Sequence, residues 1–314
     1  MNNPRILILG VTASGKGRLA FELAKSINAE ILSIDSMKVY RRMDIGTAKP
    51  PKEVRVQIPY HLIDVVEPGE SFSVARFLEL ARAAINDIKK RNKAVVAVGG
   101  TALYIKSLLY GLFDGPGADE QIRTELKAQA QAHGLDSLYE HLQKIDPDAA
   151  AKISRNDAKR IIRALEVFKL TGKPISSFQS QWNTTQDAER TTHDWIIIGL
   201  RREKTEESKR INARVKKMID AGLVDEVSRL LAEPKPLSEQ ARCAIGYAEI
   251  IDHLSGKQSL DEAIELIKKN TRKLAKAQRT WFKTFPNVHW LELTSDETPE
   301  QILNRAKAIL NNET

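Results

Sequence analysis

The strongest constraint in this chain is a stretch near its start, Gly10-Val11-Thr12-Ala13-Ser14-Gly15-Lys16. It lies between an apolar run, Arg5–Leu9, that reads as a buried strand and a pattern from Lys16 to Ile27 that reads as an amphipathic helix. In that context Gly-x-x-x-x-Gly-Lys has a mechanism. The glycines let backbone N–H groups wrap a phosphate at the positive end of the helix, and Lys16 adds a full charge. Gly10, Val11, Thr12, Ala13, Ser14, Gly15, Lys16 and Gly17 form the candidate phosphate-binding set. The position after the lysine is usually Ser or Thr, whose hydroxyl ligates Mg²⁺. Here it is Gly17. The loop therefore reads as a diphosphate cradle rather than as the loop of an efficient kinase or ATP hydrolase, with Thr12 and Ser14 as other sources of a hydroxyl.

Further strands are expected at Ile31–Ile34, His61–Val66 and Ala94–Val98, with a helix at Val74–Lys90 between the last two. Strands alternating with helices imply a parallel sheet covered on both faces, with ligands at the carboxyl ends of its strands. Gly111–Gly117 interrupts the pattern, and the chain then reads as helical from Asp119 to about Gln181. Asn183–Arg190 reads as a loop, and Trp195–Leu200 as a returning strand. The expected architecture is an α/β P-loop NTPase-like core with a mostly helical insertion. The core takes residues 1–116 and 190–314, and the insertion 117–189. Long helices are expected at Lys204–Leu231 and Leu260–Phe285, and a last strand at Val288–Leu293.

Asp35 falls at the carboxyl end of the second strand, on the same edge as the phosphate loop. A carboxylate there either holds a metal, accepts a proton from a nucleophile, or caps its own turn. Thr101, after Gly99-Gly100 at the end of the Ala94–Val98 strand, either contacts a ligand or caps the next helix.

Charge and composition exclude some classes. Lys plus Arg number 49 against 41 for Asp plus Glu, an excess of 49 − 41 = 8. That excess is modest, but basic residues concentrate at Arg201–Lys217 and Lys268–Lys283, which favours a local anion-binding face. No apolar run approaches the roughly 20 residues that span a bilayer. The strand-like run begins by Arg5, which leaves no room for a secretory signal, so a cytoplasmic location is the default expectation. Cys243 is the one cysteine, so no internal disulfide and no cysteine cluster for metal can form. His61 and His133 have no partners at metal-ligand spacing.

Taken in order, several segments resemble the tRNA dimethylallyltransferases, also called tRNA isopentenyltransferases. They are Gly10–Lys16, Asp35-Ser36-Met37, Met43–Pro50, Val98–Thr101, Asp146-Pro147, Asn156-Asp157, Arg160–Val167 and Thr171–Pro174. Near the end come Ile245-Gly246-Tyr247, Ala275-Lys276, Gln278 and Thr280-Trp281. Asp44–Pro50 and Arg160–Val167 are far more specific than a phosphate loop alone.

The resemblance implies transfer of a dimethylallyl group from its diphosphate to the adenosine beside the anticodon, with the loop gripping the diphosphate and Mg²⁺ as cofactor. By the same analogy Asp35 is the general base, and Thr12, Lys16 and Arg214 contact or stabilise the diphosphate. The segments that resemble tRNA-contacting ones carry Asp35, Ser36, Met37, Lys38, Thr101, Arg123, Lys159, Arg160, Ile161, Ile162, Arg163, Arg242, Gly246, Tyr247, Lys276, Gln278 and Trp281. The expected partners are the tRNA anticodon stem-loop and dimethylallyl diphosphate, and the enzyme is expected to be a monomer away from membranes. Departures from the family pattern are Val11 for Pro, Gly17 for Thr, Ala248 for Lys or Arg, and Ala277 for Arg.

The 260–285 helix gives a separate argument, in which a row of cations is by itself more often a solvated face and becomes an RNA surface beside an RNA substrate. Lys269, Arg272, Lys276, Arg279 and Lys283 recur at steps of three and four, one face of a helix. Ile264, Ile267, Thr271, Leu274, Gln278, Trp281 and Phe285 form a second, mostly apolar row expected to pack on the core, Trp281 with it. Beside an RNA substrate the cationic row would hold phosphates and position the loop rather than read bases.

Overall fold

The structure, a computed structural model, describes residues 3–112, 115–178 and 194–313. The expected loop at Asn183–Arg190 lies outside them. The described chain forms two compact units, Met1–Leu109 with Thr192–Thr314, and Tyr110–Thr191.

The first unit is built on a six-stranded sheet in the order β3-β2-β4-β1-β5-β6, every pair parallel. Its strands are β1 (Arg5–Gly10), β2 (Ala29–Ile34), β3 (Tyr60–His61), β4 (Ala94–Gly99), β5 (Ile196–Arg201) and β6 (Val288–Glu292). The central strands are continuous apolar runs because both faces are covered, the signature of a buried parallel sheet. Ile6, Leu7, Ile8 and Leu9 are all fully buried. The helices α1 (Lys16–Ser26), α3 (Val74–Lys90) and α15 (Pro299–Glu313) lay apolar stripes on this core; the short α2 is Lys52–Arg55. In α3 the buried residues are Phe77, Leu78, Ala81, Ile85 and Ile88, the spacing that the sequence predicts.

Two expectations are corrected. Of His61–Val66 only the first residue is in a strand, and Val66 makes an isolated bridge to Tyr40. Leu62 and Asp64 take positive φ, which no ladder accepts, and Asp64 is held by Lys49 and Arg55. The expected helix at Lys204–Leu231 is two, α10 (Lys204–Asp220) and α11 (Leu223–Leu231), broken at Gly222 with φ +92°. The short α12 (Glu239–Arg242) and α13 (Tyr247–Leu254) precede α14 (Leu260–Phe282). No described helix is long and apolar enough to cross a membrane.

The second unit is helical. It comprises the end of α4 (Ala102–Tyr110), α5 (Glu120–His133), α6 (Leu135–Ile145), α7 (Pro147–Lys152), α8 (Ala158–Thr171) and α9 (Ile175–Phe178). Its core gathers Leu126, Leu138, Leu142, Ile161 and Leu165. Within it the fully buried Glu166 accepts from the N–H of Asp119, from Arg123 and from Arg163. Burial pushes that carboxyl up, and the hydrogen bonds from Arg163, Asp119 and Arg123 outweigh it and hold the group below its usual range.

Candidate active site

Gly10 ends β1, and the loop turns through Ala13 at φ +63° and Gly15 at φ +101° into α1. A side chain at Gly15 would be strained, so glycine is required there to bring the amides round. The first-turn amides of Lys16 and Gly17 have no upstream carbonyl within the helix and face outward from its positive end. The loop carbonyls are tied down by cations. Lys16 Nζ donates to the Val11 carbonyl at 3.1 Å, Arg210 Nε to Ala13 at 2.8 Å and Arg202 Nε to Ser14 at 3.1 Å. With the carbonyls held away, and the Thr12 and Ser14 amides already bonded to Gln278 and Val11, the first-turn amides of Lys16 and Gly17 are among those left for an anion. Arg202 and Arg210 escaped the sequence argument because each acts on a backbone oxygen nearly two hundred residues distant in the chain. The one available signal was their place in the basic stretch Arg201–Lys217.

Other predicted residues meet at the same sheet edge. Arg214 Nη1 donates to Thr12 Oγ1 at 3.3 Å. Asp35 caps its own turn, its Oδ1 accepting from the N–H of Met37 at 2.9 Å and of Lys38 at 3.2 Å. It also supplies the negative charge that Lys16, Lys38 and Arg214 feel. Thr101 does not cap a helix with its side chain: its Oγ1 accepts from the N–H of Ser36 at 3.1 Å and so joins the turn after β4 to that after β2.

The electrostatics suit an anion. Burial lowers the Lys16 ammonium to about 7, helped by Arg214 and Lys38 and opposed by Asp35. Burial likewise lowers Lys38 and Arg214, in each case against the pull of Asp35. Three cations share one carboxylate, so an incoming polyanion relieves their repulsion. A cation finds less. Among the described residues no group of three or more His, Cys, Asp or Glu side chains could hold a metal. Gly17 offers no hydroxyl and Thr12 Oγ1 already accepts from Arg214, whereas the Ser14 hydroxyl, 1% exposed, has no partner and keeps its lone pairs free.

Several residues expected at an RNA surface are buried. Tyr247 is fully buried, with its hydroxyl donating to Glu226 Oε1 at 2.5 Å, and Gly246 is buried beside it. Ile161 and Ile162 belong to the core of the helical unit, where Arg123 and Arg163 are bound to Glu166. Gln278 is 8% exposed. Arg242, Lys276, Lys159 and Arg160 are exposed, each in its own unit. The rows on α14 agree with expectation in part: Ile267, Gln278 and Phe285 of the expected core row are buried. Ala275 and Phe282 are buried, whereas Leu274 is 40% exposed and Trp281 half-buried, with Lys106 Nζ 6.0 Å above its ring. The small Ala263 and Ala275 set the close face of the helix, and the larger Leu274 is left at its margin. In the cationic row Arg279 turns inward to the buried Glu207 and Arg272 donates to Asn212, both on α10, while Lys269, Lys276 and Lys283 stay exposed.

Comparison with known proteins points the same way. The family described as IPP transferase matches residues 38–285. A tRNA dimethylallyltransferase of Geobacter metallireducens is 48% identical over 287 residues, covering 91% of this chain and 92% of that protein. One from Acetivibrio thermocellus is 44% identical over 306 residues, covering 97% and 96%. Among solved structures, the full-length tRNA isopentenylpyrophosphate transferase of Bacillus halodurans has a TM-score of 0.69 and 39% identity, covering 99% of this chain and 98% of that one. A eukaryotic dimethylallyltransferase acting on tRNA has a TM-score of 0.75 at 27% identity, with 99% and 80% covered. With the family matched across most of its length and relatives this similar over nearly all of it, the chain belongs to the IPP transferase family.

Proposed function

We propose that this chain transfers the dimethylallyl group of dimethylallyl diphosphate to the exocyclic amine of the adenosine 3′-adjacent to the anticodon of tRNA, releasing diphosphate. The observation that carries the reading is the meeting of Lys16, Arg214, Thr12 and Asp35 at the mouth of the phosphate loop. In the step, the bond from the allylic carbon to the bridging oxygen breaks and a bond from that carbon to the adenine nitrogen forms. Negative charge grows on the leaving diphosphate, where the loop amides, Lys16 and Arg214 lower its energy. The nitrogen gives up a proton, and Asp35 takes it. With Oδ1 committed to the Met37 and Lys38 amides, Oδ2 is the accepting oxygen. An adenine stacked in the loop must be extruded to reach this point.

Mg²⁺ is the metal that the resemblance implies. Among the described residues no carboxylate cluster is present and position 17 offers no hydroxyl, so a magnesium ion here would lean on the substrate's own diphosphate oxygens, as this ion commonly does. From the protein's side, Lys16 and Arg214 neutralise the leaving diphosphate.

For the RNA, the exposed Lys269, Lys276, Lys283 and Arg242, and separately Lys159 and Arg160 on the helical unit, are the phosphate-holding groups in this reading. Tyr247, Ile161 and Ile162 act behind that surface, as supports. The test is transfer of labelled dimethylallyl diphosphate to unmodified tRNA, with AMP as parallel acceptor and Asp35→Ala as control. Label on tRNA that disappears in the variant is the expected result. Label on AMP alone would reassign the substrate, and no label on either would remove the transferase reading.

A further inference from the structure

Gln278 enters the sequence argument as a polar member of an apolar row and, by resemblance, as a residue against tRNA. Its surroundings are different. The side chain is 8% exposed, and its Oε1 accepts from the N–H of Thr12 at 2.8 Å while its Nε2 donates to the carbonyl of Gly100 at 2.9 Å. One amide from α14 thus joins the phosphate loop to the turn after β4. The Thr12 N–H belongs to the same planar peptide as the Val11 carbonyl. That carbonyl accepts from Lys16 Nζ at 3.1 Å and from the N–H of Ser14 at 3.2 Å. The peptide is therefore held at both ends, by Gln278 on one side and by Lys16 and Ser14 on the other. The Gly100 turn is shaped to admit this amide, since a Cβ at Gly100 would lie 2.5 Å from Gln278 Nε2.

We propose that Gln278 is a positioning residue for the diphosphate loop and not a contact to tRNA. By fixing the Val11–Thr12 peptide it sets where the Thr12 hydroxyl and the Lys16 ammonium meet the diphosphate. Loss of the side-chain amide leaves the Thr12 N–H without its partner and frees the peptide to rotate, which loosens the anchor of Lys16. The inference rests on the transferase reading for its kinetic form only.

Two variants test it in the full chain. Gln278→Leu keeps the bulk and removes both hydrogen bonds. Gly100→Ala leaves Gln278 in place but pushes away the far end of its flexible side chain, at a backbone position without a positive φ. Thermal melting checks that each variant is folded. In steady-state transfer both variants should raise KM for dimethylallyl diphosphate by about tenfold, the scale of one lost hydrogen bond at a charged site. Kd for tRNA, measured without the diphosphate substrate, should stay within about twofold, and the double variant should be little worse than either single one. Lys276→Ala, on the exposed side of the same helix, should do the reverse. Weakened tRNA binding in both variants with KM for the diphosphate unchanged would overturn the inference in favour of an RNA contact. Unchanged values throughout would overturn it as well, with the transferase reading intact. If the native chain transfers nothing, calorimetric titration with inorganic diphosphate still decides the point: Gln278→Leu should bind about tenfold more weakly, and equal binding overturns the proposal.

Discussion

Two loops of the sheet-bearing unit gather backbone N–H groups, and they differ in what fills them. In the loop that follows Met43, the amides of Asp44, Ile45 and Gly46 all point at the Glu226 carboxylate, at 3.0, 2.8 and 3.3 Å. Glu226 is 5% exposed and also accepts from Tyr247, whose hydroxyl is pushed far up by burial and by that carboxylate. Lys49 locks the other side, donating to the Tyr40 carbonyl, Asp44 and Asp64. The phosphate loop has the same kind of amide cradle, but the carboxylate near it, Asp35, turns its Oδ1 to its own turn rather than to the loop, and cations stand around it instead. The first loop is an anion site completed from within and is rigid structure. The second is left to be completed by a ligand. A nest of amides is thus not in itself a binding site; what decides is whether the chain supplies its own anion.

The largest effects should fall on the open loop. Asp35→Ala should lower the rate of transfer by about 10²- to 10⁴-fold, the range for a lost general base, with diphosphate affinity undiminished in calorimetry. Lys16→Met should cost about 10²-fold in kcat/KM, as for one removed donor to a developing anion. At the filled loop, Glu226→Ala leaves three amides and a phenol unpaired and should lower unfolding stability in urea by about 3 kcal/mol. Inorganic diphosphate should bind that variant as before; a parallel loss of diphosphate affinity would break the distinction between the two loops.

The pH dependence sharpens the comparison. Lys16 ionises near 7 in the free protein against an ordinary 10.5, so between those values the unfolded chain holds the extra proton. Its contribution to stability is therefore lowest below about pH 7 and rises as pH climbs through that window. Diphosphate favours the charged ammonium, so binding at pH 8 should take up a proton that Lys16→Met does not take up, measured by calorimetry in buffers of different ionisation enthalpy. The smallest effect is expected at Gly17, where an added Cβ meets nothing within 4 Å. Gly17→Ser should fold normally, with a melting temperature within a few degrees of the parent on the general scale of surface changes. A lower Mg²⁺ requirement for transfer would show that the missing hydroxyl is what weakens the donor set.

Much of the fold and part of the site are legible in the sequence. Arg5–Leu9, the loop and the helix from Lys16 form one local signal, and the structure places β1 and α1 there. The stripe of α3 was equally plain, because one core face fixes one period. On α14 the period holds and Ile267, Gln278 and Phe285 are buried as expected, but Ala275 and Phe282 take the places expected of Leu274 and Trp281, because close approach to β1 and α10 demands alanine. The break at Gly222 was hidden because the residues on either side are good helix formers. Tyr247 lay in a segment that resembles an RNA surface and proved to be buried against Glu226, a residue with no local mark of its role.

What the sequence by itself determined was whatever rests on near neighbours in the chain: the phosphate loop, the alternation that makes a parallel sheet, the Asp35 turn and the family. The braces were decided only by tertiary structure. Arg202 and Arg210 on the loop, Gln278 between Thr12 and Gly100, and Glu226 under Asp44–Gly46 each act across 178 to 266 residues. Most end on a backbone amide or carbonyl, and every residue type but proline carries both. Such partners leave no trace in composition or spacing, because the group they recognise is common to the whole chain and only the fold selects which one is within reach.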